Sequence, residues 1–156
     1  MKFVNLHAHS GVGSPFDGFG YPQEHMDYAF ENGCEALALT DHGNMNGLAY
    51  QVLHAKKMHE DGKKFKPIFG CEAYFIPSIE EWREEYDKAM EDKKRARAAK
   101  KDAASGATVE DEGASKKTQD ILRRRRHLVL LAQNQTGLNN LFKLVSESYQ
   151  PENFYR

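Results

Sequence analysis

Two histidines near the start of the chain, His7 and His9, are separated by one residue and directly follow a short apolar run. Residues i and i+2 of a β-strand project to the same face, so both imidazoles could reach one metal ion. In folds that alternate strands and helices, active sites lie at the carboxyl ends of the strands. An isolated HxH pair is also typical of two polar residues leaving a strand, so both interpretations stay open for this pair alone.

Two later segments carry side chains of the same kind. Asp41 and His42 directly follow the apolar run 36–40. A carboxylate beside an imidazole suits a metal ligand with a supporting residue, although Thr-Asp at such a junction is also a common helix cap or turn. Glu72 lies within an apolar run, where a buried carboxylate needs a cation. A metal ion or a Lys or Arg partner would equally supply it.

The arrangement of these residues is more informative than any one of them. Three successive strand signals each end in candidate ligands, and parallel strands bring such ends to one edge of a sheet. Imidazole and carboxylate donors together suit zinc, manganese or iron. The sequence therefore predicts a metal site. Cys71 is interpreted as a small core residue, and the glycines at 11–20 form no nucleotide-binding fingerprint.

The elements that would position these residues are read from hydrophobic periodicity. The pattern predicts strands at 3–6, 36–40 and 67–75 and helices at 22–32 and 48–61, with Gly33 and Gly62 as helix stops. The inward faces are expected to carry Met26, Ala29 and Phe30 on the first helix and Ala49, Val52 and Leu53 on the second. This alternation indicates right-handed βαβ units and a parallel sheet or barrel.

The second half of the chain changes character. In residues 78–126, 26 of 49 residues are charged, which indicates a solvated insertion. A capping box at 78–81 should begin a helix that ends near Lys101, followed by a flexible loop over 102–118. A strand at 127–132 and a helix capped by Thr136 follow.

Composition limits the class of protein. With 40% hydrophobic residues the chain is globular, and its net charge of −1 provides no basic field for nucleic acid. Two cysteines, no signal peptide and no membrane-length apolar run predict a soluble protein of the cytoplasm with no membrane partner.

Five motifs resemble, in order, the opening motifs of PHP (polymerase and histidinol phosphatase) domains, and specifically those at the N-terminus of bacterial-type replicative DNA polymerase III alpha subunits. They are Leu6-His-Ala-His-Ser10, Phe16-Asp-Gly18, Ala38-Leu-Thr-Asp-His-Gly-Asn-Met45, Lys66-Pro-Ile-Phe-Gly-Cys-Glu-Ala-Tyr74 and Arg126-His-Leu-Val-Leu-Leu-Ala132. The loop between His9 and Asp17 is about one residue longer than the family pattern.

The resemblance implies an α/β fold, the N-terminal portion of a distorted (β/α)7 barrel that carries 78–126 as a charged helical insertion. The implied metal ligands are His7, His9, Asp17, His42, Glu72 and His127, with Glu72 bridging and Asp41 supporting His42 from outside the ligand set. A complete site would hold two or three divalent metal ions. Further family ligands would lie beyond Arg156, so the resemblance implies a PHP domain over 1–156 that is incomplete at its C-terminus.

The implied function is metal-dependent phosphoester hydrolysis, with 3′–5′ exonuclease activity that proofreads within a replicative polymerase. The implied partners are DNA, the remaining polymerase domains or a second polymerase fragment, the sliding clamp and a proofreading subunit. The implied compartment is the cytoplasm of a bacterium or of a phage-infected host. The isolated piece is expected to be inactive. Two alternatives are a stand-alone phosphatase acting on a small phosphomonoester and a non-catalytic structural scaffold.

Overall fold

The computed structural model describes residues 3–102 and 126–154, which include four helices and a three-stranded sheet. In chain order the elements are α1 (Pro22–Glu31), β1 (Ala36–Leu39), α2 (Leu48–Glu60), β2 (Lys66–Phe75), α3 (Ile79–Asp102), β3 (Arg126–Leu131) and α4 (Gln135–Ser148). The predicted loop over 102–118 lies outside the described residues except for Asp102, which ends α3. The described residues divide into two compact units, one of 3–74 with 127–154 and one of 75–102 with 126.

The centre of the first unit is the parallel pair β1 and β2. Every residue of β1 is buried, as a strand covered on both faces requires. Its register pairs Ala36 with Lys66 and Leu39 with Phe69, which confirms the predicted strands and their parallel direction. The sheet order is β1-β2-β3, so β2 is the central strand.

The predicted first strand at 3–6 is wrong as a strand, because only Asn5 makes a β-bridge, to Leu37. The segment still runs parallel to β1, since the Ala38 N–H donates to the Asn5 carbonyl and the Thr40 N–H donates to the Ala8 carbonyl. A local side-chain hydrogen bond explains the interruption. The His7 N–H donates to the side chain of Asn5 over 3.1 Å and so does not continue a regular ladder.

The strand β3 differs from the parallel prediction. The Ala132 N–H donates to the Phe69 carbonyl, whereas His127 contacts Glu72. The later residue at β3 therefore lies beside the earlier residue of β2, so the two strands are antiparallel. As a consequence, the start of β3 lies at the edge of the sheet where β1 ends.

Helix α1 packs as predicted, and α2 packs with a different face. In α1, Met26 and Ala29 are buried and Phe30 packs against the core. In α2 the buried residues are Gln51, Ala55 and Met58, whereas the expected Ala49, Val52 and Leu53 are exposed. With this rotation, His54 of α2 also contacts α1, where its Nε2 atom lies 2.9 Å from Asp27 Oδ1.

Two helix starts test the capping predictions. At α3 the Glu81 N–H donates to the Ser78 hydroxyl over 3.1 Å, in line with the predicted cap. At α4 the cap is Asn134, whose side chain accepts from the Gly137 N–H over 2.9 Å. Thr136 is therefore wrong as the cap, because the helix begins one residue before it and Asn134 already has the extended backbone that a cap requires.

The second unit contains α3, which buries a short stripe of its own. Trp82 and Ala89 are buried, and the indole of Trp82 stacks on the ring of Tyr86 with 5.0 Å between the ring centres. Met90, which follows Ala89, is 42% exposed. No helix in the described ranges is both long enough and apolar enough to cross a membrane.

Candidate metal centre

Glu72 lies at the centre of a group of histidines. Its side chain is 1% exposed, and its Oε2 atom lies 2.6 Å from His7 Nε2 and 2.7 Å from His9 Nε2. The same oxygen lies 3.6 Å from His42 Nδ1, and the other carboxylate oxygen contacts His127 Nδ1. Within the described residues all ion pairs of this carboxylate are to histidines, so a Lys or Arg partner, the alternative left open above, is not found there.

Asp17 adds a second carboxylate to the same group of histidines. Its Oδ2 atom lies 2.6 Å from His42 Nε2 and 3.3 Å from His9 Nδ1. The longer loop before Asp17 therefore still brings this residue to the histidines. All six predicted ligands come together in three overlapping sets, in each of which one ligand atom per residue lies within 4.8 Å of the others. The sets are His7, His9 and Glu72; His9, Asp17 and His42; and His42, Glu72 and His127.

The backbone pairing of β1 and β2 continues past the end of β1 and aligns the two central ligands. Glu72 donates its N–H to the Asp41 carbonyl, the Gly43 N–H donates to the Glu72 carbonyl, and His42 and Glu72 form a parallel bridge. Neighbouring residues on paired strands lie about 5 Å apart on one face. Because β3 runs in the opposite direction, its second residue, His127, reaches the same place.

A buried polar network fixes the loop that carries Asp17. The Asp41 carboxylate accepts hydrogen bonds from the Ser10 N–H over 2.7 Å and from the Ser10 hydroxyl over 2.9 Å. The Ser14 hydroxyl accepts from the His42 N–H over 3.0 Å. These hydrogen bonds of Asp41 go to Ser10, the neighbour of His9, and not to His42 as expected. A methyl group at Gly13 would overlap the Asp41 carboxylate, so the loop passes where only glycine fits.

The ionisation of the carboxylates follows from these contacts. Burial raises the pKa of Glu72, but the hydrogen bonds of His7 and His9 outweigh that effect and hold the pKa below its usual 4.5. Desolvation likewise opposes the effect of His42 on Asp17, and the net pKa of Asp17 lies below its usual 3.8. Both groups therefore carry the negative charge that a cation requires at neutral pH.

Cys71, the neighbour of Glu72, has the opposite character. It is buried, and this burial, together with the nearby negative charges of Asp41 and Glu72, raises the pKa of its thiol to about 11. A thiol in this state is neither a nucleophile nor a ready metal ligand at neutral pH. This agrees with its interpretation as a small core residue.

The other described histidines have partners of their own. His25 Nε2 lies 2.6 Å from the Phe19 carbonyl, and His59 Nε2 lies 2.9 Å from the Phe65 carbonyl. His54 pairs with Asp27. These contacts lie outside the cluster around Glu72.

Several residues of the centre were missed by sequence reasoning. Tyr74 stacks on His42 with an angle of 12° between the rings, and its hydroxyl lies 3.3 Å from His42 Nδ1. Ser10 and Ser14 are buried. The available signal for Tyr74 was its spacing of two from Glu72 on one strand, because residues i and i+2 share a face.

Comparison with known proteins identifies the family of the chain. The PHP domain family model matches residues 5–156, and the chain belongs to this family. The DNA polymerase III subunit alpha of Treponema pallidum is 34% identical over 156 residues, covering all of this chain and 10% of that protein. The PolC-type DNA polymerase III of Thermotoga maritima is 42% identical over 80 residues, covering 51% of this chain and 5% of that protein. The chain thus spans about a tenth or less of the length of these relatives.

A solved structure is also similar, at a lower level. It is an amidohydrolase from Chromobacterium violaceum with bound SO4 and no metal, with a TM-score of 0.39 and 15% sequence identity, covering 94% of this chain and 74% of that chain. A similarity this low carries no argument about fold or function.

Proposed function

We propose that the six residues around Glu72 form a divalent metal centre that hydrolyses phosphate esters of DNA, in the PHP domain of a protein related to the DNA polymerase III alpha subunit. The observation that carries this proposal is the buried Glu72 carboxylate, which has an imidazole nitrogen on each of its oxygens. Burying an ionised carboxylate among imidazoles, which can be uncharged, costs free energy unless a cation lies beside it.

The chemistry of the donors fits a metal ion. Four imidazoles and two ionised carboxylates supply the nitrogen and oxygen ligands that zinc, manganese and iron bind. Three overlapping sets of three ligands suit two or three ions rather than one. His9, His42 and Glu72 each belong to two of the sets, and of these three only Glu72 has a carboxylate, with His7 and His9 on one oxygen and His127 on the other, as a bridging ligand requires.

The residues of this chain would divide the work in three ways. His7, His9 and His127 would hold cations around Glu72, while His42 and Asp17 would hold them at the second carboxylate. Asp41 would act only as a positioning residue, through Ser10 and the loop 10–18. When bound, the metal ions would bind the phosphate and activate water for hydrolysis.

The whole-protein setting is inferred from the relatives. Similarity over the full chain to a polymerase subunit favours a PHP domain over 1–156, with 78–126 inserted into a (β/α)7 barrel and further elements beyond it. The corresponding activity is 3′–5′ exonucleolytic proofreading beside DNA synthesis in the bacterial cytoplasm. DNA, the other polymerase domains, the sliding clamp and a proofreading subunit would be its partners.

The test combines metal content with hydrolysis in the full-length protein. Elemental mass spectrometry should find stoichiometric zinc, manganese or iron in the wild type and a clear loss in His7→Ala and Glu72→Ala. His54→Ala is the matched control, because His54 also pairs with a carboxylate but lies outside the centre.

Substrate choice separates the alternatives. Hydrolysis of single-stranded DNA from its 3′ end, lost in Glu72→Ala and kept in His54→Ala, would support the proposal. Hydrolysis of a small phosphomonoester without attack on DNA would favour a stand-alone phosphatase. Wild-type protein that contains no metal and hydrolyses neither substrate would refute the proposal and favour a structural scaffold.

A further inference from the structure

Two phenylalanines flank Asp17 on the loop beside the metal centre. Phe16 is fully exposed and Phe19 is 82% exposed. Consecutive Cα atoms lie about 3.8 Å apart, so the backbone of Phe16 is next to that of a residue that contacts both His9 and His42. Single exposed apolar residues need no explanation, but two exposed rings on either side of one candidate ligand do.

The loop holds these rings outward by its own hydrogen bonds. The Gly11 N–H donates to the Gly20 carbonyl over 2.9 Å, and the Gly18 N–H donates to the Ser14 carbonyl over 2.7 Å. The Phe19 carbonyl lies 2.6 Å from His25 Nε2. The rings of Phe19 and His25 meet edge to face, with 5.7 Å between their centres. Both exposed rings are therefore carried by a loop whose backbone is held by hydrogen bonds.

The chain segment that carries the loop has no lysine or arginine of its own for binding a polyanion. No lysine or arginine occurs in the sequence between residues 3 and 55, which includes the whole loop and both flanking elements. Phosphates therefore have no side-chain cation on this part of the chain and would be held at the metal centre. The rings remain available for the uncharged part of a ligand, and aromatic faces bind unpaired bases by stacking.

We infer that Phe16 and Phe19 form a stacking surface for the bases of single-stranded DNA on either side of the phosphate at the metal centre. This inference rests on the proposed function and narrows it, because a small phosphomonoester has no bases to reach the rings. A duplex keeps its bases stacked internally, so the surface selects frayed or single-stranded ends. Binding by stacking also predicts weak salt dependence, in contrast to binding by Lys and Arg.

The experiment separates bases from phosphates. Full-length protein with its metal bound is titrated with a fluorescent oligothymidylate whose phosphorothioate linkages resist hydrolysis, and with a phosphorothioate strand of equal length whose sugars carry no bases. The wild type should bind the base-containing strand more tightly. Phe16→Ala and Phe19→Ala should each weaken that binding roughly tenfold and leave the base-free strand unaffected, since stacking contributes about this much per base.

Two further variants make the result specific. Tyr28→Ala removes a ring that is 71% exposed but lies on α1, outside the loop, and should leave binding unchanged. Phe16→Trp places an indole on the loop, and the fluorescence that it adds over the wild type should be quenched by the base-containing strand alone. Circular dichroism verifies that each variant is folded.

The outcomes are distinct from those of the proposed function. Equal binding of the two strands by the wild type, no binding of either strand, or equal losses in Tyr28→Ala and Phe16→Ala would overturn the inference. Metal content, measured on the same samples, decides the proposed function independently, because base stacking does not require a bound metal.

Discussion

Replacing Glu72 by glutamine tests whether this carboxylate binds a cation or only completes a hydrogen-bonded core. Glutamine keeps the size of the side chain and one acceptor oxygen but removes the charge. That charge now faces His7 and His9 at 2.6 and 2.7 Å, and His127 on its other oxygen. If the charge serves to hold a metal ion, the variant should lose the stabilisation that added metal provides.

The size of the effect follows from linkage between binding and folding. Metal at 100 times its Kd stabilises a native protein by about 2.7 kcal/mol. Removing a partner that only supports a ligand raises the Kd about 10- to 100-fold, and Glu72 touches several candidate ligands directly, so we take about 100-fold. The same metal concentration then equals the Kd and adds only about 0.4 kcal/mol. Glu72→Gln should therefore lose about 2 kcal/mol of metal-dependent stability.

Urea unfolding, followed by circular dichroism in EDTA and in excess Mn²⁺, measures this difference. Manganese is preferred to zinc because zinc binds the Cys and His side chains of unfolded chains and so reduces the effect. Asp27→Asn is the control, because it neutralises a carboxylate that also pairs with a histidine, at 2.9 Å from His54. Equal metal-dependent stabilisation of the wild type and Glu72→Gln would refute the placement of a metal ion at Glu72.

Three further predictions concern the pH dependence of Glu72, the cap of α4 and the reactivity of the two cysteines. Because the pKa of Glu72 is held below its usual 4.5, its contribution in EDTA is complete above about pH 4.5 and is lost as the pH falls through the lower folded value. Urea unfolding between about pH 6 and pH 3 should therefore show a steeper loss for the wild type than for Glu72→Gln. Asn134→Ala should destabilise the first unit by about 1 kcal/mol in urea unfolding, whereas Thr136→Ala should cost much less, and the reverse order would contradict the observed cap. Iodoacetamide at pH 8 should modify the half-buried Cys34 and spare Cys71, whose thiol pKa is about 11, and mass spectrometry showing equal labelling of the native protein would contradict that burial.

Much of the centre could be predicted from strand ends. A buried apolar strand followed by polar residues is a local pattern, and the parallel direction of β1 and β2 turns sequence order into spatial adjacency. His42 and Glu72 are neighbours for that reason. His7 and His9 were also predicted, although their segment is not a regular strand, because a single bridge at Asn5 is sufficient to align it with β1.

His127 could not be predicted in the same way. It begins its strand instead of ending it, and periodicity does not specify the direction in which a strand pairs. Only the resemblance to a family placed it among the ligands. The opposite direction of β3 explains why that placement is geometrically consistent, since the start of an antiparallel strand lies beside the ends of its parallel neighbours.

The buried face of α2 could not be predicted from the sequence, for a different reason. The helix carries apolar residues on two overlapping stripes, and hydrophobicity favours the one with Val52 and Leu53. In the structure the buried stripe is the one with the small Ala55 and the flexible Met58, and the His54–Asp27 contact accompanies that rotation. A tertiary hydrogen bond between two helices leaves no periodic signal in either helix.

The two buried carboxylates of the centre illustrate how a site can be both stable and ready to bind. Asp41 is satisfied by an N–H and a hydroxyl of Ser10, which are fixed donors, so its role ends at holding the loop. Glu72 has imidazoles as its ion-pair partners among the described residues, and an imidazole that gives up a proton becomes a metal ligand. A cation entering the cluster would replace the interactions of Glu72 one for one, whereas it could not replace those of Asp41. The same cost of burying charge therefore makes Asp41 a structural residue and Glu72 a candidate ligand.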